Sequence, residues 1–259
     1  MAIGVFDSGI GGMTVVREIR KRYPDEKIIY FGDTKRVPYG GKSQEELIFL
    51  SEQIVGFLIK EGAEVIVDAC NTTSALALPY LRKKFTIPII GVLVPGAKAA
   101  ARATDHKVGV IATEGTIRSN CYQEEIQIAR EGVEVTAIPC PKLVGFIEDG
   151  DLGSEYVKKV LNHYLNPIFL NNCDTLVLGC THYPFLQETI RELIGDSMTL
   201  VDPAIPTVDL LKEHLGKGDC EEICYVSGDF HNFNNTLQKI FPDHGFEKIL
   251  EYDPIIERE

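Results

Sequence analysis

The chain has little of what nucleic-acid-binding, membrane-spanning or secreted proteins need. Its 259 residues contain 26 lysines and arginines against 38 aspartates and glutamates, which gives a formal net charge of −12. Binding to phosphate backbones requires clustered cations, so we expect no nucleic-acid partner. No apolar run approaches the ~20 residues that span a bilayer, and Asp7 interrupts the first apolar residues, unlike in a signal peptide. We therefore expect a cytoplasmic protein that does not associate with membranes.

The seven cysteines do not have the pattern of a disulfide-bonded domain. Structural disulfides are rare in the cytosol, and an odd number of cysteines leaves at least one thiol unpaired. Cys220 and Cys224 stand four residues apart, but no second Cys/His pair near them completes a zinc site. We expect neither a disulfide framework nor a bound metal.

The sequence does contain a repeated pattern, in which short β-branched runs alternate with amphipathic helical stretches. This alternation is typical of βαβ units and predicts an α/β protein with parallel sheets. The predicted strands begin near Ile3, Ile28, Val65, Ile89, Val108, Glu134, Thr175 and Thr199. Their spacing predicts two pseudo-symmetric four-strand units, offset by roughly a hundred residues. The stretch after about Pro206 is expected to add a helix and two short strands to the first unit.

Two cysteines occupy matched positions in this repeat. The segment Val65-Ile66-Val67-Asp68-Ala69-Cys70 aligns with Thr175-Leu176-Val177-Leu178-Gly179-Cys180, so each cysteine follows a strand and precedes a helix. Ligands of open parallel sheets bind beyond the carboxyl ends of the strands. Two thiols that face one ligand from opposite sides suit racemisation, because one base removes a proton from carbon while an acid on the other face returns one. A thiol of pKa near 8.5 is ~10% ionised at about pH 7.5, so it can take either role.

Polar residues near the two cysteines are candidates for substrate contacts or for assisting the thiols. The candidates for holding a substrate carboxylate are Ser8, Asn71, Thr72 and Thr181. Asp7 is equally suited to capping a helix and to assisting Cys70. His182 stands two residues after Cys180, which favours an acid/base role. By its residue pattern alone, Glu148 is a loop carboxylate.

Several motifs together resemble those of the glutamate racemases, in order and in spacing. They are Asp7-Ser8-Gly9-Ile10-Gly11-Gly12, Asp33-Thr34-Lys35-Arg36-Val37-Pro38-Tyr39-Gly40, Ala69-Cys70-Asn71-Thr72, Pro95-Gly96-Ala97, Cys140-Pro141 with Glu148 after it, and Gly179-Cys180-Thr181-His182-Tyr183-Pro184. The resemblance covers about residues 1–215 and is specific as a combination. It implies an α/β fold of two flavodoxin-like parallel-sheet domains with the active site between them. The first would comprise residues 1–95 plus 207–259 and carry Cys70, and the second, residues 96–206, would carry Cys180.

The resemblance also implies an activity and a set of site residues. It implies an isomerase that interconverts L- and D-glutamate without pyridoxal phosphate or metal. Such an enzyme supplies D-glutamate for peptidoglycan, on which bacterial cell wall biogenesis and cell shape depend, and is commonly a homodimer. Cys70 and Cys180 would be the two acid/base residues, with Asp7 assisting Cys70, and with Glu148 and His182 assisting Cys180. The residues implied around the substrate are Asp7, Ser8, Tyr39, Gly40, Asn71, Thr72, Thr181 and His182.

Three positions depart from the family pattern. Thr73 stands where alanine is expected, and Val94 stands where glutamate is frequent. Asp68 replaces an apolar residue in a strand that should be buried on both faces. An unpaired buried carboxylate is costly, so Asp68 should have a hydrogen-bonding partner or a raised pKa.

Two other enzyme activities compete with this interpretation. One is racemisation of aspartate or hydantoins on the same scaffold, because a single sequence does not reveal which side-chain length is selected. The other is a cysteine hydrolase, in which Cys180 is the nucleophile, His182 the base and Glu148 the group that orients it. The hydrolase interpretation leaves Cys70 without a role.

A dinucleotide-binding module is the third alternative. The loop Gly9-Ile10-Gly11-Gly12-Met13-Thr14 begins like a dinucleotide fingerprint, and Asp33 lies at a suitable distance for a ribose contact. Thr14, however, occupies the position of the third glycine, and the second unit has no such loop. Pyridoxal phosphate is also disfavoured, because no lysine falls at a strand end where it would form a Schiff base.

Overall fold

The strands form where the hydrophobic pattern predicts them. A computed structural model of the protein describes residues 2–215, 222–242, 245, 246 and 248–256. The strands are β1 Ala2–Asp7, β2 Lys27–Gly32, β3 Val65–Asp68, β4 Ile89–Gly91, β5 Lys107–Ala112, β6 Glu134–Pro139, β7 Thr175–Gly179, β8 Thr199–Val201, β9 Glu222–Val226 and β10 Lys248–Glu251. Each of the eight predicted strands begins within one residue of its expected position.

Helices connect these strands as the βαβ pattern requires. The α-helices are α1 Met13–Arg22, α2 Gln44–Lys60, α3 Asn71–Leu76, α4 Leu78–Lys84, α5 Leu93–Ala103, α6 Glu114–Arg118, α7 Cys121–Ala129, α8 Leu143–Glu148, α9 Glu155–Leu170, α10 Gln187–Ile194, α11 Ala204–Asp209 and α12 Phe230–Ile240. Three 3₁₀ helices span Tyr39–Gly41, Tyr183–Leu186 and Leu210–His214. Ser43 caps α2 by accepting the N–H of Glu46, as its capping-box sequence indicates.

The strands make two all-parallel sheets with the same internal order. The first sheet has the order β10-β9-β2-β1-β3-β4, and the second has the order β6-β5-β7-β8. The order β2-β1-β3-β4 is therefore repeated as β6-β5-β7-β8, which confirms the predicted pseudo-symmetric α/β fold. The final strands, β9 and β10, extend the first sheet beyond β2, as expected for the last part of the chain. The proposed domain boundaries, at residues 95/96 and 206/207, stay a prediction.

The central strands are buried on both faces, so their side chains form continuous buried runs. All described residues of β1, β3 and β7 are buried. Such strands are expected to be apolar throughout, because helices cover both sides of a parallel sheet. Within β3, Asp68 is an exception, because it is a fully buried carboxyl residue. The matched residue of β7, Leu178, is apolar and also fully buried.

Three structural absences apply to the described residues. No helix in these ranges is long and apolar enough to cross a membrane. The six cysteines within them are free thiols, and Cys220 lies outside the described residues. The described part of the chain contains no group of three or more His, Cys, Asp or Glu side chains placed to hold a metal ion.

Candidate active site

The two repeated cysteines lie just beyond the carboxyl ends of matched strands. Cys70 follows β3 and immediately precedes α3, while Cys180 follows β7 directly. The helix that follows Cys180 begins as the 3₁₀ turn Tyr183–Leu186 and continues as α10. Both thiol-bearing residues are almost buried, with exposed fractions of 5% for Cys70 and 6% for Cys180. They are near enough that charge on Cys180 raises the pKa of Cys70.

Hydrogen bonds between the two halves bring these strand ends together. The Thr181 hydroxyl donates to Oδ1 of Asp7 at 3.0 Å, and the Thr14 hydroxyl donates to the carbonyl of Thr181 at 3.1 Å. The N–H of Ile10 donates to Oε1 of Glu148 at 3.2 Å. The loop after β1 is therefore joined to the segments that follow β7 and form α8.

Two glycines allow this close approach. A Cβ atom at Gly9 would overlap the carboxylate of Glu148, and one at Gly11 would overlap the ring of His182. The glycines of the loop that begins like a dinucleotide fingerprint thus serve packing between the two halves. This packing role explains why the loop contains glycines without requiring a bound nucleotide.

Cys180 lies beside a histidine that is paired with a glutamate. Its Sγ atom is 3.8 Å from Nδ1 of His182, whose Nε2 lies 2.6 Å from Oε1 of Glu148. Burial alone would lower the pKa of His182, but the contacts with Cys180 and Glu148 raise it well above its usual value. These contacts therefore favour the protonated ring, which attracts negative charge on the adjacent sulfur.

Cys70 lies instead among carboxyl groups. Burial raises the pKa of Cys70, and the charges of Asp7 and Asp68 raise it further. Oδ2 of Asp7 accepts the N–H groups of Gly9 at 3.1 Å and of Gly12 at 3.0 Å, just before α1. Burial raises the pKa of Asp7 itself, while the charge of His182 and these hydrogen bonds lower it. Asp7 thus binds N–H groups of the loop before α1 and not those of the helix itself, which has no side-chain cap. Assistance to Cys70 stays a prediction.

Two of the three departures from the family pattern form one buried pair. The hydroxyl of Thr73 hydrogen bonds to Oδ1 of Asp68, while Oδ2 of Asp68 has no partner among the described residues. Burial raises the pKa of Asp68 to about 8, although the bond from Thr73 lowers it. Asp68 therefore has both a partner and a raised pKa, as its burial requires. Nothing in the structure explains Val94, which is half-buried on α5.

The remaining residues implied around the substrate lie at the ends of β1, β2 and β3. Ser8 follows Asp7 and is buried. The hydroxyl of Tyr39 donates to Oδ2 of Asp33 at 2.6 Å, so this phenol is engaged by the protein. Gly40 packs against Thr113 of the second half, where a Cβ atom would lie 2.7 Å from the threonine Cβ.

Side chains from the second half fix two residues of the Asn71-Thr72 motif. Oδ1 of Asn71 accepts a hydrogen bond from the Tyr122 hydroxyl at 2.7 Å, which leaves the amide NH₂ for another acceptor. The hydroxyl oxygen of Thr72 is 2.9 Å from that of Thr113, which is in turn 2.9 Å from that of Thr116.

Thr113, Thr116 and Tyr122 were not predicted as part of the site. The repeat contains a signal for Thr113, because this residue aligns with Ser8 when β5 is placed on β1. Tyr122 has no comparable signal, since it lies on α7 and reaches Asn71 across the two halves.

Comparisons with known proteins agree on one family. A family model described as Asp/Glu/Hydantoin racemase matches residues 13–211. A glutamate racemase from Geobacter metallireducens is 45% identical over 233 residues, covering 90% of this chain and 86% of that protein. The fold matches glutamate racemase isoform RacE1 from Bacillus anthracis with a TM-score of 0.91 at 34% identity, over 99% of this chain and 98% of that one.

A second solved structure, glutamate racemase from Francisella tularensis in complex with D-glutamate, gives a TM-score of 0.89 at 34% identity. It covers 98% of this chain and 97% of that chain. The motifs, the two matched sheets and these similarities lead to the same conclusion. The chain belongs to the Asp/Glu/Hydantoin racemase family.

Proposed function

We propose that this protein is a glutamate racemase that uses Cys70 and Cys180 as its two acid/base groups, without pyridoxal phosphate or metal. The observation that carries the proposal is the position of the two thiols, at the carboxyl ends of the matched strands β3 and β7. Racemisation needs one base and one acid on opposite faces of the α-carbon, and this placement supplies a pair. The high identity to proteins named glutamate racemases favours glutamate over aspartate or a hydantoin.

The charges around the thiols suggest the protonation state in which the cycle begins. The contact with His182 stabilises negative charge on Cys180, whereas the carboxyl groups near Cys70 disfavour negative charge there, so we propose that Cys180 acts first as the base and Cys70 as the acid. When one enantiomer presents its α-hydrogen to Cys180, the thiolate takes that proton and Cys70 donates its own to the opposite face. The enzyme is left with a Cys70 thiolate and a Cys180 thiol, which is the state that acts on the other enantiomer.

The remaining site residues bind the substrate or hold the thiols. Glu148 stabilises the charge on His182 through the 2.6 Å contact, and Asp7 assists Cys70 while it holds the loop before α1. The residues that we propose to contact the carboxylate and ammonium groups of glutamate are Asp7, Ser8, Tyr39, Gly40, Asn71, Thr72, Thr181 and His182. We further propose that the enzyme is a cytoplasmic homodimer whose D-glutamate enters peptidoglycan synthesis.

Racemisation in D₂O tests the proposal. Purified protein incubated with L-glutamate, without added cofactor, should lose optical rotation while deuterium enters the α-carbon of the product. Because two different bases act, the deuterium should appear first in the D-enantiomer. A folded protein that exchanges and racemises neither glutamate nor aspartate would exclude the racemase function, and activity on aspartate alone would correct the substrate.

A cysteine hydrolase is the second candidate, because Cys180, His182 and Glu148 form a connected chain of contacts. Such an enzyme needs Cys180 as nucleophile but not Cys70. The Cys70→Ser variant separates the two functions. It stops a two-base racemase, whereas it leaves a hydrolase active on its substrates.

A further inference from the structure

Asp68 occupies an apolar position of the fold but lies close to the reaction site. It is the last residue of β3 and is completely buried, two residues before Cys70. Its neighbours along the sheet are Phe6 in β1 and Gly91 in β4, neither of which can pair with a charge. The matched strand β7 carries Leu178 here, so the fold itself does not require a carboxyl group.

The hydrogen bonds around Thr73 favour a proton on Asp68. The single hydroxyl of Thr73 contacts two acceptors, the carboxyl of Asp68 and the carbonyl of Cys70 at 3.1 Å. A hydroxyl has one hydrogen to donate, so it cannot satisfy both acceptors at once. Both contacts become hydrogen bonds when Asp68 is a neutral acid that donates to the Thr73 oxygen, because Thr73 can then donate to the Cys70 carbonyl.

The charges that face Asp68 also favour its neutral form. The titratable groups acting on this carboxyl are Asp7 from β1 and Cys70 from the following turn, and both become negative when they ionise. The hydroxyls of Thr73 and Ser74 are neutral, and together with the N–H of Cys70 they lower the pKa of Asp68 and so offset part of the effect of burial. Burial raises the pKa of Asp68 to about 8, in agreement with the hydrogen-bond geometry.

We propose that Asp68 is a positioning residue for Cys70, that it is a neutral acid hydrogen-bonded through Thr73 to the Cys70 carbonyl in the active enzyme, and that its ionisation in alkaline solution lowers activity. This inference rests on the proposed role of Cys70 in racemisation. An ionised Asp68 takes the hydrogen of Thr73 away from the turn that carries Cys70. It also adds a negative charge beside the sulfur that must become a thiolate in each cycle.

The loss should be equal in the two directions of the reaction. Two enantiomers have equal free energies, so kcat/KM for L-glutamate and for D-glutamate must remain equal at every pH. An effect on Cys70 therefore lowers both values together, although kcat and KM can change differently in the two directions. This equality provides an internal check on the measurements.

The test compares the pH profiles of kcat/KM for wild type, Asp68→Leu, Asp68→Asn and Thr73→Val between pH 6.5 and 9.5. With a pKa of about 8, the wild-type value should fall relative to that of Asp68→Leu by about tenfold between pH 7 and pH 9. Taking the ratio removes the titrations that both proteins share, such as that of the substrate ammonium group. Asp68→Leu copies Leu178 of the other half. If the leucine protein does not fold, Asp68→Asn keeps a donor to the Thr73 oxygen in its amide NH₂ but has no carboxyl group to ionise.

The Thr73→Val variant distinguishes a titrating carboxyl from a merely structural residue. Because the Thr73 hydroxyl lowers the pKa of Asp68, its removal should move the alkaline decline to higher pH. The decline should also become smaller, because only the negative charge of Asp68 still acts on Cys70 once the Thr73 hydrogen bond is gone. We expect the alkaline decline of kcat/KM to be largest in wild type and smaller in Thr73→Val. Asp68→Leu and Asp68→Asn should show no decline that comes from ionisation of residue 68. Profiles that superimpose for wild type and both Asp68 variants would overturn the inference.

Infrared difference spectra measure the same proton independently of activity. The spectrum of wild type minus Asp68→Leu at pH 6.5 should contain one protonated carboxyl band, which is replaced by a carboxylate band as the pH rises through about 8. A carboxylate band at pH 6.5 would contradict the inference even in an active racemase. Conversely, a protein that does not racemise glutamate would contradict the proposed function, while the infrared result would still report on Asp68.

Discussion

The two halves of this protein share a backbone plan but place different titratable groups around their thiols. Strand order β2-β1-β3-β4 repeats as β6-β5-β7-β8, and a cysteine follows the third strand of each set. Cys70 has Asp7 and Asp68 as neighbours, whereas Cys180 has the cationic His182. The second half has Ala112 where the first has Asp7. Duplication therefore explains where the thiols are, and divergence of their neighbours explains how they differ.

This difference matters because a two-base enzyme needs one thiol and one thiolate at a time. If both environments were alike, the doubly protonated and doubly ionised forms would compete with the reactive ones. A difference of one pKa unit between the thiols corresponds to about 1.4 kcal/mol of preference for one arrangement.

Removal of either thiol should have the largest effect on racemisation, because it leaves the site with only one of its two acid/base groups. Cys70→Ser and Cys180→Ser should each lower kcat for racemisation by at least ~10²–10⁴-fold, because serine is a far weaker acid than cysteine. The measurement is loss of optical rotation from both enantiomers, with circular dichroism of each variant as the control for folding. Appreciable racemisation by either variant would contradict the two-base mechanism.

Removal of the charge beside Cys180 should make the two environments more alike. His182→Asn removes the cation, and we expect a fall in kcat of about 10²-fold. Glu148→Gln should lower kcat less than His182→Asn does and should change its pH dependence, because loss of this partner lowers the pKa of His182. The imidazolium is then lost at lower pH, so the alkaline decline of kcat/KM should move to lower pH. A profile that does not move would show that Glu148 does not act through His182.

Removal of the buried carboxyl group near Cys70 should change how stability depends on pH. The pKa of Asp68 is raised from 3.8 to about 8, so the folded protein binds a proton there that the unfolded chain releases above about pH 4. Stability from this group is present at low pH and is lost as the pH rises towards 8. Relative to wild type, Asp68→Leu should therefore gain up to ~4 kcal/mol in free energy of unfolding between pH 5 and pH 8. Urea unfolding at the two pH values measures this gain, and Leu178→Met is a matched control expected to show no pH-dependent change.

Loss of the contact between Tyr122 and Asn71 should have the smallest effect. Tyr122→Phe removes one hydrogen bond between the halves and leaves the Asn71 amide free to rotate. Since such a bond is worth about 1 kcal/mol, KM should rise by roughly fivefold with little change in kcat. Steady-state kinetics with L-glutamate test this, and a fall in kcat alone would show that Tyr122 acts on the chemical step instead.

Much of the fold and part of the site could be predicted from the sequence, for physical reasons. Strands such as β3 and β7 are visible because burial on both faces demands continuous apolar runs, and the repeat makes Cys70 and Cys180 stand out. The contact between Asp68 and Thr73 was not predictable from the sequence, although each residue departs from the family pattern. Their contact depends on the turn between β3 and α3, and Tyr122 reaches Asn71 only through the packing of the two halves.

Thiolate absorbance in the ultraviolet tests the central comparison most directly. At pH 7, without substrate, we expect Cys180→Ser to lose the absorbance of a thiolate and Cys70→Ser to retain the wild-type value. The other cysteines are common to all three proteins and cancel in the difference. Loss of the signal in Cys70→Ser instead, or no thiolate at either position, would contradict the proposed division between a Cys180 base and a Cys70 acid in the resting enzyme.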